Sequence, residues 1–264
     1  MVFIRLPDRN ARGQNRWTWH VDVPKRWRRS LAHSQHAQFA KGNGPRLRAG
    51  TLIESIQSRS ARALPRLYPI LDASCLSDLA ILCEFAEQFA AAGCTLLQYR
   101  NKKSGARQML EDAVQLKARL GPGGVLIMND RADLCLAAGF DGLHVGQDDL
   151  SPASARAIVG PHRWLGVSTH NPEQLAEADQ TSADYLAIGP VFATSSKATP
   201  DPVVGLDGVR RARELTRKPL VAIGGITRAN ARSVLEAGAD SVAVISDLLR
   251  DPRKSAEEFL RILG

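Results

Sequence analysis

Long apolar runs are absent from this sequence of 264 residues: nowhere do about 18 apolar residues follow one another, so neither a transmembrane helix nor a membrane partner is expected. Cysteine is scarce too. Cys75, Cys83, Cys94 and Cys135 sit among apolar neighbours without C-x-x-C spacing, which argues against a zinc or disulfide framework and assigns the thiols to the core. No secretory apolar segment opens the chain, and a reducing, cytoplasmic setting is the expectation. Acidic residues are rare in one stretch only. Residues 1–66 hold 14 Lys+Arg against 3 Asp+Glu, a net of +11, whereas residues 67–264 hold 21 against 24, a net of −3. The formal charge of +8 therefore belongs to the first quarter of the chain and says little about the remainder.

Residues 1–66 also lack sustained helical or strand periodicity, and they scatter Trp17, Trp19 and Trp27 among Arg, Gln, Asn, Gly and Pro. This part is expected to be a disordered basic extension without a core of its own. Its cluster Lys25-Arg26-Trp27-Arg28-Arg29 has the composition for phosphate contact and base stacking, but short basic runs are ordinary in solvated tails, and nucleic acid is not the expected partner. An organelle transit peptide, rich in Arg and poor in acids, and a start codon set too far upstream are open readings of the same segment.

What is present begins at residue 67. Short β-branched apolar runs alternate with amphipathic stretches, the pattern of βα units on a parallel sheet. Eight runs are read, at 67–71, 95–99, 124–128, 142–145, 164–167, 185–188, 220–223 and 241–245. Helices are expected between them, for example over 106–120 and over 228–237 after Thr227 as N-cap. Eight units in residues 67–264 give about 25 residues each, near the lower limit of a (β/α)8 TIM barrel. A doubly wound open sheet uses the same local signals but commonly fewer strands.

In such a barrel the chemistry sits where the strands end. The second run ends in Gln98-Tyr99-Arg100-Asn101-Lys102, the third in Asn129-Asp130, and the fourth leads into His144-Val145-Gly146-Gln147-Asp148-Asp149. The fifth ends in Ser168-Thr169-His170, the sixth is followed by Thr194-Ser195-Ser196-Lys197, the seventh by Gly224-Gly225 and the eighth by Ser246. Arg100, Lys102 and Lys197 suit a strongly anionic group, while Asp130 and Asp149 would repel it unless a divalent cation lay between. Together they argue for a Mg²⁺-bridged polyphosphate, with a second phosphate cradle at Gly224-Gly225 and after Ser246. Taken singly, each piece has a plainer role: Asp130 as a helix cap, Arg100 in an ion pair, His144 as a satisfied strand residue. His170, directly after a strand, is the better acid/base candidate.

These blocks, with Met128-Asn129-Asp130-Arg131, Gly166-Val167-Ser168, Gly189-Pro190-Val191-Phe192 and Ile223-Gly224-Gly225-Ile226, resemble in type and order the thiamine-phosphate synthase family over residues 67–264. The resemblance implies small-molecule substrates: hydroxymethylpyrimidine diphosphate joined to a thiazole phosphate. It implies Gln98, Tyr99, Arg100, Asn101, Lys102, Asn129, Ser168 and Lys197 around the pyrimidine diphosphate. It also implies Thr194, Ser195, Ser196, Gly225, Ile245 and Ser246 around the thiazole phosphate, and Asp130 and Asp149 on Mg²⁺. Arg100, Lys102, Lys197 and Ser168 would be the catalytic set. A thiazole tautomerase of the same superfamily, working through His170, is the alternative.

Overall fold

In the computed structural model, which describes residues 2–9, 15–22, 63–76, 78–194 and 201–264, an antiparallel pair comes first. Strand β1 (Val2–Arg9) runs against β2 (Asn15–Asp22), with Val2 opposite Asp22. The scattered polarity of residues 1–66 does not announce this pairing. The basic cluster at residues 25–29 lies outside the described residues. Two units divide the chain, residues 1–60 and 61–264.

The second unit is a closed barrel of eight parallel strands. They are β3 (Leu67–Asp72), β4 (Leu96–Arg100), β5 (Val125–Asn129), β6 (Gly142–Val145), β7 (Trp164–Thr169), β8 (Tyr185–Ile188), β9 (Leu220–Ile223) and β10 (Ser241–Val244). Each pairs with the next, and β10 closes onto β3 with Val242 opposite Leu67. Four strands run past the apolar stretch that marks them in the sequence, to Asp72, Arg100, Asn129 and Thr169, because ladder pairing continues through those polar residues. Alternation then sorts the side chains. Tyr68, Ile70, Leu96, Ile127, Trp164, Tyr185, Ala187, Val221 and Ala243 fill the interior, while Leu67, Leu97, Leu126, Leu143, Val167 and Val242 pack outward in the larger core that includes the helices.

The eight α-helices among the described residues are α1 (Leu79–Ala91), α2 (Ala106–Leu120), α3 (Ala132–Ala137), α4 (Pro152–Val159), α5 (Pro172–Asp179), α6 (Gly205–Leu215), α7 (Ala231–Glu236) and α8 (Pro252–Leu263). Capping sets the starts of α4 and α5: Ser151 accepts from Ser154 N and Asn171 from Gln174 N, each followed by proline. Helix α7 is shorter than its sequence pattern predicts. The Asn230 carboxamide accepts from Thr227 N and Asn230 N donates to Thr227 O, so residues 227–230 are a turn rather than the first helical turn. No helix among the described residues is long and apolar enough to cross a membrane.

At the N-terminal ends of the strands one device occurs three times. The carboxylate of Asp141, just before β6, accepts from Leu126 N on β5 at 2.9 Å and from Lys117 Nζ on α2 at 2.7 Å. Asp184, before β8, does the same with Leu165 N at 2.8 Å and Arg156 Nη2 at 2.6 Å. Asp240, before β10, takes Leu220 N at 2.7 Å and Arg213 Nη1 at 2.8 Å. Each clamps two strands and a helix through charge-assisted bonds. Asp184→Ala leaves the Leu165 N–H and the Arg156 guanidinium without that partner; the expected cost is about 2 kcal/mol, read as a melting temperature lower by about 4–8 °C. A change under about 1 °C would show that water replaces the clamp.

Candidate active site

The inward residues at the C-terminal strand ends are polar, and each is held by a neighbouring strand. On β4 the side chains of Gln98 and Arg100 point into the barrel, and Arg100 Nη1 lies 2.5 Å from Asp72 Oδ2 on β3. Asp72 is 2 % exposed and also accepts from Ser74 N, so the guanidinium is anchored by a buried, fixed carboxylate. The sequence does not single out Asp72, because its apolar run ends at Leu71. Its period-two spacing from Tyr68 and Ile70 was the signal available.

Asp130, one residue beyond β5, has φ of 61° and pairs with Lys102. Its carboxyl also faces that of Asp149. Burial first, and then the facing Asp149, push the Asp130 carboxyl up to about 6, while Lys102 pulls the other way. Two carboxylates held against each other lack positive charge, which fits a hard divalent cation that takes one or two protein carboxylates and completes its shell with water and phosphate oxygens. The described residues contain no group of three or more His, Cys, Asp and Glu able to hold a metal by themselves, so the fit is of that partial kind.

Beside this pair, the Asn129 Nδ2 is buried with no hydrogen-bond partner among the described residues, a donor left for a ligand. Ser168 Oγ lies 2.8 Å from His144 Nε2, and Gln147 Nε2 donates to Ser168 O at 2.5 Å. His144 is satisfied on both ring nitrogens, and burial pushes it down to about 4, so it stays neutral. His170 is held through Nδ1 by Gly189 O at 2.6 Å, with the Asp201 carboxylate 3.6 Å away.

Two sequence-predicted site residues do not join this cluster. Tyr99 points outward, fully buried, and gives its hydroxyl to Asp112 on α2 at 2.6 Å, because it alternates with Gln98 and Arg100. Asn101 spends its carboxamide on the Tyr99 hydroxyl and on Lys103 N and Ser104 N, which shapes the β4–α2 loop. On the other side of the mouth, Gly224 and Gly225 have φ of 99° and 63°, and a side chain on either would overlap the loop after β8, at Pro190 and at Phe192 and Ala193. Ile245 and Ser246 follow β10, Ser246 opening a single 3₁₀ turn. Thr194 lies in the loop after β8, while Ser195, Ser196 and Lys197 fall outside the described residues.

The thiamine monophosphate synthase family matches residues 67–248. The chain belongs to the thiamine monophosphate synthase family. A thiamine-phosphate synthase of Koribacter versatilis is 63% identical over 207 residues, which is 77% of this chain and 98% of that protein. That of Chloroflexus aurantiacus is 43% identical over 203 residues, 75% and 92% of the two chains. The solved thiamine phosphate pyrophosphorylase of Pyrococcus furiosus superposes with a TM-score of 0.68 at 34% identity, over 75% of this chain and 95% of that one. Membership of the thiamine monophosphate synthase family thus coincides with the barrel and leaves residues 1–66 outside the match.

A raised carboxyl favours the protonated fold, so the contribution of Asp130 to stability is full below its ordinary value near 3.8 and is lost as pH rises through about 6. In metal-free, chelator-treated protein, Asp130→Asn is therefore expected to raise the melting temperature at pH 8 by about 2–4 °C, a value already reduced for the lost Lys102 pair, and to leave it unchanged at pH 4. A lower melting temperature at pH 8 would mean that Lys102 outweighs Asp149.

Proposed function

We propose that the barrel joins 4-amino-5-hydroxymethyl-2-methylpyrimidine diphosphate to a hydroxyethylthiazole phosphate, giving thiamine phosphate and pyrophosphate. Thiamine phosphate synthesis follows from the family; the roles of individual residues are the proposal. The observation that carries it is the meeting of Arg100 and Lys102 with the facing carboxylates Asp130 and Asp149 at one barrel mouth. Cations suit a diphosphate, and the acidic pair suits the Mg²⁺ that a diphosphate brings.

In the reaction, the bond between the pyrimidine methylene carbon and the diphosphate oxygen breaks, its electron pair leaving with pyrophosphate, and the thiazole nitrogen lone pair forms the new C–N bond. No proton is transferred and no protein nucleophile is needed. Arg100, preset by Asp72, and Lys102 offset the charge that grows on the leaving group. Asn129 through its free Nδ2, Gln98 and Ser168 line the pyrimidine side, where fixed orientation lowers the entropic part of the barrier. Mg²⁺, held by Asp130 and Asp149, would supply further neutralisation of the diphosphate oxygens. Thr194, Gly225, Ile245 and Ser246, with Ser195 and Ser196 from outside the described residues, would receive the thiazole phosphate, and Lys197, also outside them, would meet the diphosphate. A tautomerase acting through His170 would leave the Arg100 and Lys102 pairs without a task.

Thiamine phosphate made from the two substrates and Mg²⁺ is measured by oxidation to fluorescent thiochrome. Asp130→Ala and Asp149→Ala are each expected to lower kcat/KM at least about 100-fold, and chelator to abolish turnover. Full activity in either variant would sink the metal assignment. Removal of residues 1–62, which lie outside the family match, is expected to leave the rate unchanged.

A further inference from the structure

Beneath the mouth, five polar side chains from five strands form one unbroken hydrogen-bonded chain through the barrel interior. Gln98 Nε2 on β4 donates to the Tyr68 hydroxyl on β3 at 3.0 Å, and that hydroxyl lies 3.0 Å from the hydroxyl of Tyr185 on β8. The Tyr185 hydroxyl is 3.0 Å from His144 Nδ1 on β6, and His144 Nε2 is 2.8 Å from Ser168 Oγ on β7. The rings are packed as well as bonded: Tyr68 meets Tyr185 edge-on at 6.1 Å, and His144 lies tilted on Tyr185 at 5.5 Å. Gly166, inward on β7, makes the space, because a Cβ there would overlap both the Tyr185 hydroxyl and His144 Nδ1.

With Gln98 Nε2 placed on the Tyr68 hydroxyl, counting protons orders the rest of this chain. Each hydroxyl carries one hydrogen and a neutral imidazole carries one N–H. The Gln98 amide nitrogen can only donate, so the Tyr68 proton goes to Tyr185 and the Tyr185 proton to His144 Nδ1. The imidazole proton then sits on Nε2 and is given to Ser168, whose own proton is turned out of the chain. Reversing any middle bond alone leaves a buried hydroxyl proton without an acceptor, which disfavours a partial reversal.

We propose that Tyr68, Tyr185 and His144 are positioning residues that set the hydrogen-bonding polarity of the pyrimidine pocket, presenting Gln98 Oε1 as an acceptor at one end and the Ser168 hydroxyl as a donor at the other. No hydrogen bond among the described residues occupies Gln98 Oε1. The inference rests on the thiamine phosphate reading for its substrate class: an aminopyrimidine offers amine hydrogens to an acceptor and ring nitrogens to donors, and the unpartnered Asn129 Nδ2 adds a second donor. An oxo group in place of the exocyclic amine meets Gln98 with the wrong polarity, and correcting it means reversing all four bonds together. The chain is thereby a specificity device for amino over oxo pyrimidines.

The test uses the full chain labelled with ¹⁵N-imidazole histidine, the His144 signals being identified by their loss in His144→Asn. Near neutral pH, without substrate, Nδ1 is expected to be an unprotonated acceptor and Nε2 protonated; in Tyr185→Phe the pattern shifts toward a mixture of tautomers. A wild-type Nδ1–H tautomer, or no shift in Tyr185→Phe, overturns the polarity. In turnover, Tyr185→Phe should lower kcat/KM for the pyrimidine diphosphate about tenfold, leave KM for the thiazole phosphate unchanged, and reduce the further cost of Ser168→Ala. An equal loss on both substrates, or the same Ser168→Ala cost in both backgrounds, assigns the tyrosine to structure alone and overturns the proposal. Absence of product from the wild-type protein would remove the thiamine phosphate reading while the tautomer still decides the polarity, so the two failures are separable.

Discussion

Closure of the sheet between β10 and β3 is the constraint on which the rest depends. A closed parallel barrel has no free edge, and the inward side chains of all its strands share one axis. At the C-terminal ends this forces Asp72, Arg100, Asn129 and Ser168, with Asp130 just beyond, into a common space where charge has to balance over short distances. Asp72 is matched by Arg100 and Asp130 by Lys102, but Asp149 is an extra carboxylate facing Asp130, and burial, with Asp149 adding to it, pushes the Asp130 carboxyl up to about 6. The imbalance is local and fixed by the strands. A ligand that brings a divalent cation and an anion together relieves it, whereas either alone meets repulsion from part of the ring.

Carboxylates at the opposite end of the same strands do different work. Asp141, Asp184 and Asp240 each have a backbone N–H and a helix cation as partners, so none is left over. The same residue type is therefore fully partnered at one end of the barrel and left in surplus at the other, and the difference lies in whether the partners are supplied by the fold.

The barrel was legible in the sequence because its strands are short apolar runs at regular spacing, and the candidate site is read from the chemistry-bearing residues that follow run after run. The limits of that reading have several physical sources. A ladder keeps pairing through a polar residue, so runs closed at their last apolar side chain stop short of Asp72, Arg100 and Asn129, and the buried partner of Arg100 goes unseen. Alternation along β4 sends Tyr99 outward, as the sequence also indicates, and a loop turn absorbs Asn101; both enter the pyrimidine set only through the family resemblance. The turn at residues 227–230 carries helix-compatible residues, and only the Asn230 carboxamide bond reveals it. The Tyr68 to Tyr185 contact joins residues 117 apart across the barrel, a separation that no local pattern reports.

Three of the four cysteines and His144, which could have served covalent or proton-transfer chemistry, are disarmed by the same packing; Cys75, expected in the core with the others, is instead exposed beyond β3. Burial pushes the Cys94 thiol up to about 12 and that of Cys135 to about 11, so neither forms thiolate near neutral pH. The Cys83 thiol moves the same way, and His144 is driven down to about 4, out of the range in which it would carry a second proton. What remains at the mouth is charge and oriented dipoles: a guanidinium fixed by Asp72, an ammonium on Asp130, an amide donor on Asn129 without a partner, and a hydroxyl ordered from below. A substitution whose leaving group departs as an anion, and whose carbon centre is stabilised by its own aminopyrimidine ring, asks a protein for that and for little else. The fit between site and reaction thus lies as much in the chemistry the barrel suppresses as in the charges it presents.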